Sequence, residues 1–306
     1  MKKFVVTGGA GFIGSALVKF LKKQEPDSKI VVVDNLSTGR IDNLFEITGQ
    51  YDMERLDIRE FEKLGRVFYG AEAVFHLAAL PSVQMSIEDP VLTQAVNLGG
   101  TLNVLEASRR NKVKKVVFSS SCAIYGDGEN LSETAPDRPL SPYALQKLAS
   151  EKYCQLYHEL FKLPTVCLRY FNVFGPGQDP KSDYAAVIPR FITAAKVGEQ
   201  LRIFGDGEQT RDFIYLKDIL RANITALKKE ADGGIFNVGS GTAVSINTLA
   251  QTILSLTGSK SEIKHERPRP GDIRHSLARV EKAAAALSFK TEVSLSEGLK
   301  RMIERF

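Results

Sequence analysis

Apolar residues along the first half of the chain come in short clusters. FVV near residue 5, IVVV near 32, MERLDI near 56, AVFHLA near 75, VVFSS near 118 and TVCLRYF near 168 are compact and rich in β-branched residues, as buried strands require. Between them, SALVKFLKK, FEKLGRVF, VLTQAVNLGGTLNVLEASRR and YALQKLASEKYCQLYHEL space their apolar residues by three and four, the period of one helix face. Strands alternating with helices predict βαβ units, and therefore an α/β fold built on a doubly wound parallel sheet with helices on both faces. After Phe174 the segments GPGQDP, FGDGEQ, GGI and GSGT punctuate shorter elements, which predicts a smaller C-terminal α/β substrate domain. The division is expected near residue 171, with one domain over residues 1–171, a second mostly over 172–306, and a strand at 213–216 or 235–238 returning to the first sheet.

Composition narrows the class without changing this picture. A chain of 306 residues, 43% hydrophobic and 25% charged, can bury substantial cores and is not a disordered polymer. The net charge of +5 is modest, and the basic clusters KVKK and LKK lack interleaved aromatics, so no nucleic-acid partner is expected. MKKFVVTGGAGFIG begins like a signal peptide, but glycines interrupt it. No run approaches the ~20 apolar residues that cross a bilayer, so no membrane association is expected. Cys122, Cys154 and Cys167 form no CxxC pair and cannot all be bridged, which fits a reducing, cytoplasmic setting. His76, His158, His265 and His275 show no zinc spacing, and no metal is expected.

Candidate chemistry lies at two places. Thr7-Gly8-Gly9-Ala10-Gly11-Phe12-Ile13-Gly14 follows the first strand and opens the first helix. Gly8, Gly11 and Gly14 would give a tight turn, room for a pyrophosphate and close helix packing, with the helix N-terminus facing the phosphates. Asp34, 20 residues beyond Gly14 and at the end of IVVVD, would accept bonds from an adenosine ribose and repel a 2′-phosphate. NAD is therefore favoured over NADP, with Arg40 the residue that would argue for the phosphate. Further on, Ser141-Pro142 is a good helix start, and Tyr143 and Lys147 share a face of the helix that follows. A lysine ammonium beside the phenol, together with a nicotinamide cation, would lower the Tyr143 pKa and make it a general base.

A glycine motif after strand one, Ser121 at the end of VVFSSS and YxxxK on the next helix together resemble the short-chain dehydrogenase/reductase superfamily and its Rossmann sheet. TGGAGFIG, VDNLSTG, LDIRE, VFHLAA, SSSCAIYG, SPYALQK, RYFNVFGPGQDP, FGDGEQTRDFIY and RPGDIR extend the likeness over most of the chain. They resemble the extended branch, in particular the UDP-glucose and UDP-N-acetylglucosamine 4-epimerases. The resemblance implies NAD contacts at Gly8, Gly11, Phe12, Ile13, Gly14, Asp34, Asn35, Ser37, Thr38, Gly39, Asp57, Ile58, Leu77, Ala78, Ala79, Asn97, Tyr143, Lys147 and Phe171. It implies a catalytic set of Ser121, Tyr143 and Lys147. For the UDP-sugar it implies Ser82, Ser121, Tyr143, Asn172, Val187, Arg211, Arg269, Asp272 and Ser276. Guanidinium groups match diphosphate oxygens and a carboxylate accepts from ribose hydroxyls.

Within this branch the residues beside Ser121 discriminate between reactions. The 4,6-dehydratases resemble T-D-E-V before YG, where two carboxyl groups eliminate water, and UDP-glucuronate decarboxylases resemble T-S-E-V. Here those positions are Cys122 and Ala123, which offer no carboxylic acid. Reversible oxidation at C4 remains, so inversion of a UDP-hexose with no net redox change is expected, and NAD should stay bound between turnovers. Ser120 would orient Ser121 or the nicotinamide. Ser276, where some relatives carry a bulky tyrosine, would leave room for an N-acetyl group, so UDP-GlcNAc/UDP-GalNAc and UDP-Glc/UDP-Gal are both expected as substrates. UDP-glucuronate 4-epimerases resemble RYFTVYGP and stand as the rival, against Asn172 here. A non-catalytic NAD-binding regulator on the same fold is the alternative of a different class. Two helices, roughly 89–110 and 142–161, look apolar on more than one face (Val91, Leu92, Val96, Leu102, Leu105; Leu145, Leu148, Tyr153, Leu156, Tyr157) and resemble the paired-helix interface of the superfamily, so a homodimer is expected.

Overall fold

The computed structural model describes residues 1–179, 186–268 and 273–305. Its first half alternates strand and helix: β1 Lys3–Thr7, α1 Phe12–Gln24, β2 Lys29–Val33, β3 Asp52–Glu54, α2 Phe61–Phe68, β4 Ala73–His76, α3 Val83–Glu88, α4 Pro90–Gln94, α5 Thr101–Arg110, β5 Lys115–Ser121, β6 Gly128–Leu131, α6 Pro142–Phe161 and β7 Thr165–Tyr170. Then follow β8 Asn172–Phe174, α7 Val187–Val197, β9 Leu201–Phe204, β10 Thr210–Tyr215, α8 Leu216–Lys228, β11 Ile235–Val238, β12 Ala243–Ser245, α9 Ile246–Thr257, β13 Ile263–Glu266, β14 Ser276–Ala278, α10 Glu281–Leu287 and α11 Leu295–Ile303. No helix among the described residues is long and apolar enough to cross a membrane.

A seven-stranded parallel sheet in the order β11-β7-β5-β4-β1-β2-β3 forms the doubly wound frame. The period of two along each strand sends side chains to two cores. Phe4, Val6, Ile30, Val32 and Phe75 face α1, α8 and α10, whereas Val5, Val31, Val74, Val116 and Phe118 face α2, α5 and α6. A second sheet, β12-β10-β8, supports a third core with α7, α9 and α11.

The structure refines the sequence expectations in detail. Of the two candidate returning strands, β11 pairs with β7 in the large sheet, while β10 belongs to the small one. Together with β11, α8 and α10 join the large sheet's core, so the chain after residue 172 contributes to both layers. The strand expected around MERLDI ends at Glu54, leaving Asp57 and Ile58 in the loop beyond it. The helix expected over 89–110 contains a π-helical stretch at Ala95–Gly100, and Leu105 and Tyr157 turn inward to the core rather than outward.

Candidate active site

The carboxyl ends of β1, β2, β4 and β5 meet along one edge, where ligands bind in open parallel sheets. Gly8 adopts φ +70°, and a Cβ there would lie 2.6 Å from the Ala78 backbone nitrogen, so β1 and β4 approach as only glycine permits. Gly14 is equally constrained, since its Cβ would sit 2.0 Å from the Gly8 carbonyl oxygen. The N-cap of α1, Gly11, makes no side-chain hydrogen bond to the first turn, leaving its amides to a ligand.

A cavity of about 750 Å³ opens along this edge. Its wall carries Gly8, Gly11, Phe12, Ile13, Gly14, Asp34, Asn35, Ser37, Thr38, Asp57, Ile58, Leu77, Ala78, Ala79, Ser121, Tyr143, Lys147 and Phe171. The Asp34 carboxylate accepts from the Ala10 and Leu36 amides at 2.9 and 2.8 Å, which ties the glycine turn to the loop after β2. Gly39 lies behind it, where a Cβ would come within 2.8 Å of the same carboxylate. Arg40 points away, 3.5 Å from Asp42 on the surface. Asp57 takes both forks of Arg59 and the Asn35 amide, and the Arg59 guanidinium holds it at about 2, fully charged.

Below the cavity floor His76 joins two strand ends. Its Nδ1 is 2.7 Å from Thr7 Oγ1 and its Nε2 is 2.9 Å from Thr101 Oγ1. Thr101 donates to the Asn97 carbonyl at 2.6 Å, so Nε2 must carry the ring's proton and donate to Thr101. Burial pushes this histidine down to about 3, which keeps it neutral. Asn97 is not on the cavity wall. Its amide clamps both backbone polar groups of Leu80 and donates to Gln146 at 2.8 Å, so it acts on the loop after β4 from below.

The reacting groups converge where β5 meets α6. Ser141 caps α6 by accepting from the Ala144 amide at 3.2 Å, Pro142 occupies its first turn, and Tyr143 and Lys147 follow one helical turn apart. Lys147 Nζ donates to the Ser119 carbonyl at 2.8 Å and lies 5.9 Å from the Tyr143 ring centre. Ser121 Oγ accepts from the Ala123 amide at 3.2 Å. Ser120 Oγ is buried against the cavity with no hydrogen-bond partner in the protein, an orphaned hydroxyl of the kind a bound group satisfies. Together with the glycine cradle and the side chains of Asp34 and Asp57, it fits a dinucleotide.

The lowering of the Tyr143 pKa expected from Lys147 and a nicotinamide cation together is not supplied by the protein's own groups. The side chains alone do not lower the Tyr143 pKa; burial pushes it up to about 12, and the hydrogen bond from Ser121 offsets only part of that. Lys147 is pushed down to about 8 by the same burial. Counting only the attraction between ammonium and phenolate leaves out the cost of taking both from water. Beside them burial raises the Cys122 thiol to about 11, so it is neutral at physiological pH.

A second cavity of about 260 Å³ adjoins the first, sharing Val173, Gln178 and Ala186 with it. Asn172, Val187 and Arg211 line it, and so do Arg190, Arg202, Phe204 and Gln209. Reading the sequence missed these four; Gln209 stands inside FGDGEQTRDFIY, and Arg190 interrupts the otherwise apolar start of α7. Ser82 instead caps α3, accepting from Met85 N at 3.0 Å. Ser276 is buried, with its hydroxyl 4.0 Å from Cys122 Sγ. Arg269 and Asp272 lie outside the described residues.

A model of NAD dependent epimerases and dehydratases matches residues 4–239. The chain belongs to that family. The UDP-glucose 4-epimerase of Mycolicibacterium smegmatis is 37% identical to it over 308 residues, covering 99% of this chain and 97% of the relative. The solved structure of the UDP-N-acetylglucosamine 4-epimerase from Methanobrevibacter ruminantium M1, in complex with UDP-N-acetylmuramic acid, superposes with a TM-score of 0.95 at 42% identity, covering 99% of this chain and 97% of that one. The UDP-N-acetyl-alpha-D-glucosaminuronate decarboxylase of Bacillus cytotoxicus is 36% identical over 318 residues, 100% of this chain and 96% of the relative, so the family's other reactions also stand close. The resemblance to extended short-chain dehydrogenase/reductases of the epimerase type is borne out. This family member is an isomerase, and its cofactor is NAD.

Proposed function

We propose that the protein inverts C4 of a UDP-hexose, acting on UDP-GlcNAc/UDP-GalNAc and UDP-Glc/UDP-Gal. The observation that carries this reading is at the end of β5: Ser121, Tyr143 and Lys147 border one cavity, while the neighbouring Cys122 and Ala123 bring a neutral thiol and a methyl group. Among the described residues of that wall, the only carboxylates are Asp34 and Asp57, and both lie beyond β2 and β3, at the adenosine end. Elimination or decarboxylation would need an acid beside the sugar.

In this reading the glycine turn, Asp34, Asn35 and Asp57 hold NAD, and Ser120 is satisfied by its nicotinamide end. NAD supplies a hydride acceptor that can return what it takes, and a positive ring that favours a nearby phenolate. Tyr143 then takes the C4 hydroxyl proton, Ser121 holds the C4 oxygen, and Lys147 keeps a positive charge beneath the phenol. Asn172, Val187 and Arg211, with Arg269 and Asp272, anchor the UDP while the 4-keto sugar turns over. Once hydride has returned to the opposite face of C4, Tyr143 gives the proton back to the C4 oxygen. The outward apolar residues Val91, Leu145 and Leu160, which are 79%, 57% and 66% exposed on α4 and α6, support pairing of those helices with a second copy of the chain.

The test is to incubate the purified protein, without added NAD, with UDP-Glc, UDP-GlcNAc and UDP-GlcA separately and to resolve C4 epimers by NMR. Epimers of the first two are expected. A 4-keto-6-deoxy sugar or a pentose product would overturn the proposal.

A further inference from the structure

Asp212, on β10, has no exposed surface, and its carboxylate collects four donors from two distant parts of the chain. Ser240 gives its amide and its hydroxyl to Oδ1, both at 2.7 Å. Gly241 N and Ala278 N give to Oδ2 at 3.0 and 3.2 Å. The carbonyl of the same residue accepts from Asn172 Nδ2 at 3.0 Å. The packing leaves no slack, because a Cβ on Gly239 would come within 2.7 Å of Oδ2 and 2.6 Å of the Ala278 Cβ.

What Asp212 joins is more informative than the bonds themselves. Its neighbour Arg211 and its partner Asn172 line the smaller cavity, at the nucleotide end of the proposed substrate. Ala278 ends β14, which begins at Ser276, and Ser276, buried behind the cavity wall, packs on Cys122, whose neighbour Ser121 lines the larger cavity at the sugar end of the proposed substrate. One buried carboxylate therefore connects the wall that would grip the diphosphate to the wall that would face the hexose. A hexose that must turn over while its UDP stays fixed requires those walls to keep their spacing, and a displacement of about 1 Å is worth roughly a hundredfold in productive orientation.

We infer that Asp212 is a positioning residue that sets the distance between the nucleotide-binding wall and the sugar-binding wall. The inference rests on the UDP-hexose reading above. Asp212→Asn keeps the side chain's size but turns an amide NH2 towards N–H donors that need an acceptor, and Ser240→Ala removes one of the four donors. NAD-loaded wild type and both variants would be titrated with UDP and with UDP-glucose by calorimetry, and assayed for C4 epimerisation. In Asp212→Asn the affinity for UDP should stay within about threefold of wild type, while the ratio of UDP-glucose to UDP affinity falls about tenfold and kcat/KM about thirtyfold. Ser240→Ala should shift the same quantities in the same direction by about threefold. Equal losses for UDP and UDP-glucose, accompanied by a fall in bound NAD, would show a general structural role and overturn the inference. So would unchanged ratios in Ser240→Ala, should Asp212→Asn fail to fold. Absence of wild-type turnover on any UDP-hexose would refute the functional reading, whereas the ratio of affinities still decides the role of Asp212.

Discussion

Replacing Glu151 with alanine should be among the costliest single changes to this protein. Glu151 lies on α6 one turn beyond Lys147, and Arg169 lies on β7 two residues before Phe171; the two are 0% and 1% exposed. Arg169 Nε and Nη2 reach the carboxylate at 2.9 and 2.7 Å, and its guanidinium also stacks 4.7 Å from the centre of the Tyr125 ring. At 2.7 Å and an effective dielectric near 20 the attraction is ~6 kcal/mol, part of which only offsets desolvation of the two ions. Removing the carboxylate leaves a buried guanidinium with Asp137 as its remaining anion at 3.5 Å, so the loss should be about 3–5 kcal/mol. For a chain of 306 residues that corresponds to a fall of roughly 5–8 °C in melting temperature. Urea unfolding of the NAD-loaded protein, followed by far-UV circular dichroism, measures it. The double replacement Glu151→Leu with Arg169→Met should recover most of the stability, since it leaves no unpaired charge. A loss below about 1 kcal/mol in Glu151→Ala would refute the reasoning, because the pair would then be solvated enough to matter little.

Three further outcomes follow from the site. Tyr143→Phe should retain NAD yet lower kcat by about 10²–10⁴, measured by epimer formation; turnover at the wild-type rate would exclude the phenol as the base. Ser276→Tyr should lose UDP-GlcNAc activity selectively while UDP-Glc activity survives, and equal rates on both would sink the assignment of Ser276 to the C2 group. His76 has a folded value near 3, below its ordinary 6.5, so its contribution to stability is whole above pH 6.5 and declines as the pH falls towards 3. Between pH 6.5 and 5 that amounts to about 2 kcal/mol, and His76→Gln should flatten the acid limb of a melting-temperature profile over that window. An unchanged slope would mean that the ring is not held neutral.

Much of this architecture could be read in advance because its causes are local. The βαβ rhythm follows from runs of β-branched residues, the glycine turn from its spacing, and the shared face of Tyr143 and Lys147 from a separation of four. Where reading failed, the cause was remote in the sequence. The choice between β10 and β11 as the returning strand depends on which of two similar apolar runs finds β7. The raised pKa of Tyr143 comes from burial by several elements, which no spacing within YxxxK reveals. Arg190 and Arg202 look like ordinary surface cations until α7 and β9 bring them to the same cavity as Arg211. Asn97 holds the loop after β4 from below the cavity, a distinction that a likeness to relatives does not make.

The central claim is that hydride leaves C4 and returns to the same carbon of the same molecule. It is tested most directly with UDP-glucose deuterated at C4, incubated with the protein in ordinary water and no added NAD. The account predicts UDP-galactose that retains its deuterium at C4. Product with hydrogen at C4, or deuterium transferred to another carbon, would contradict it.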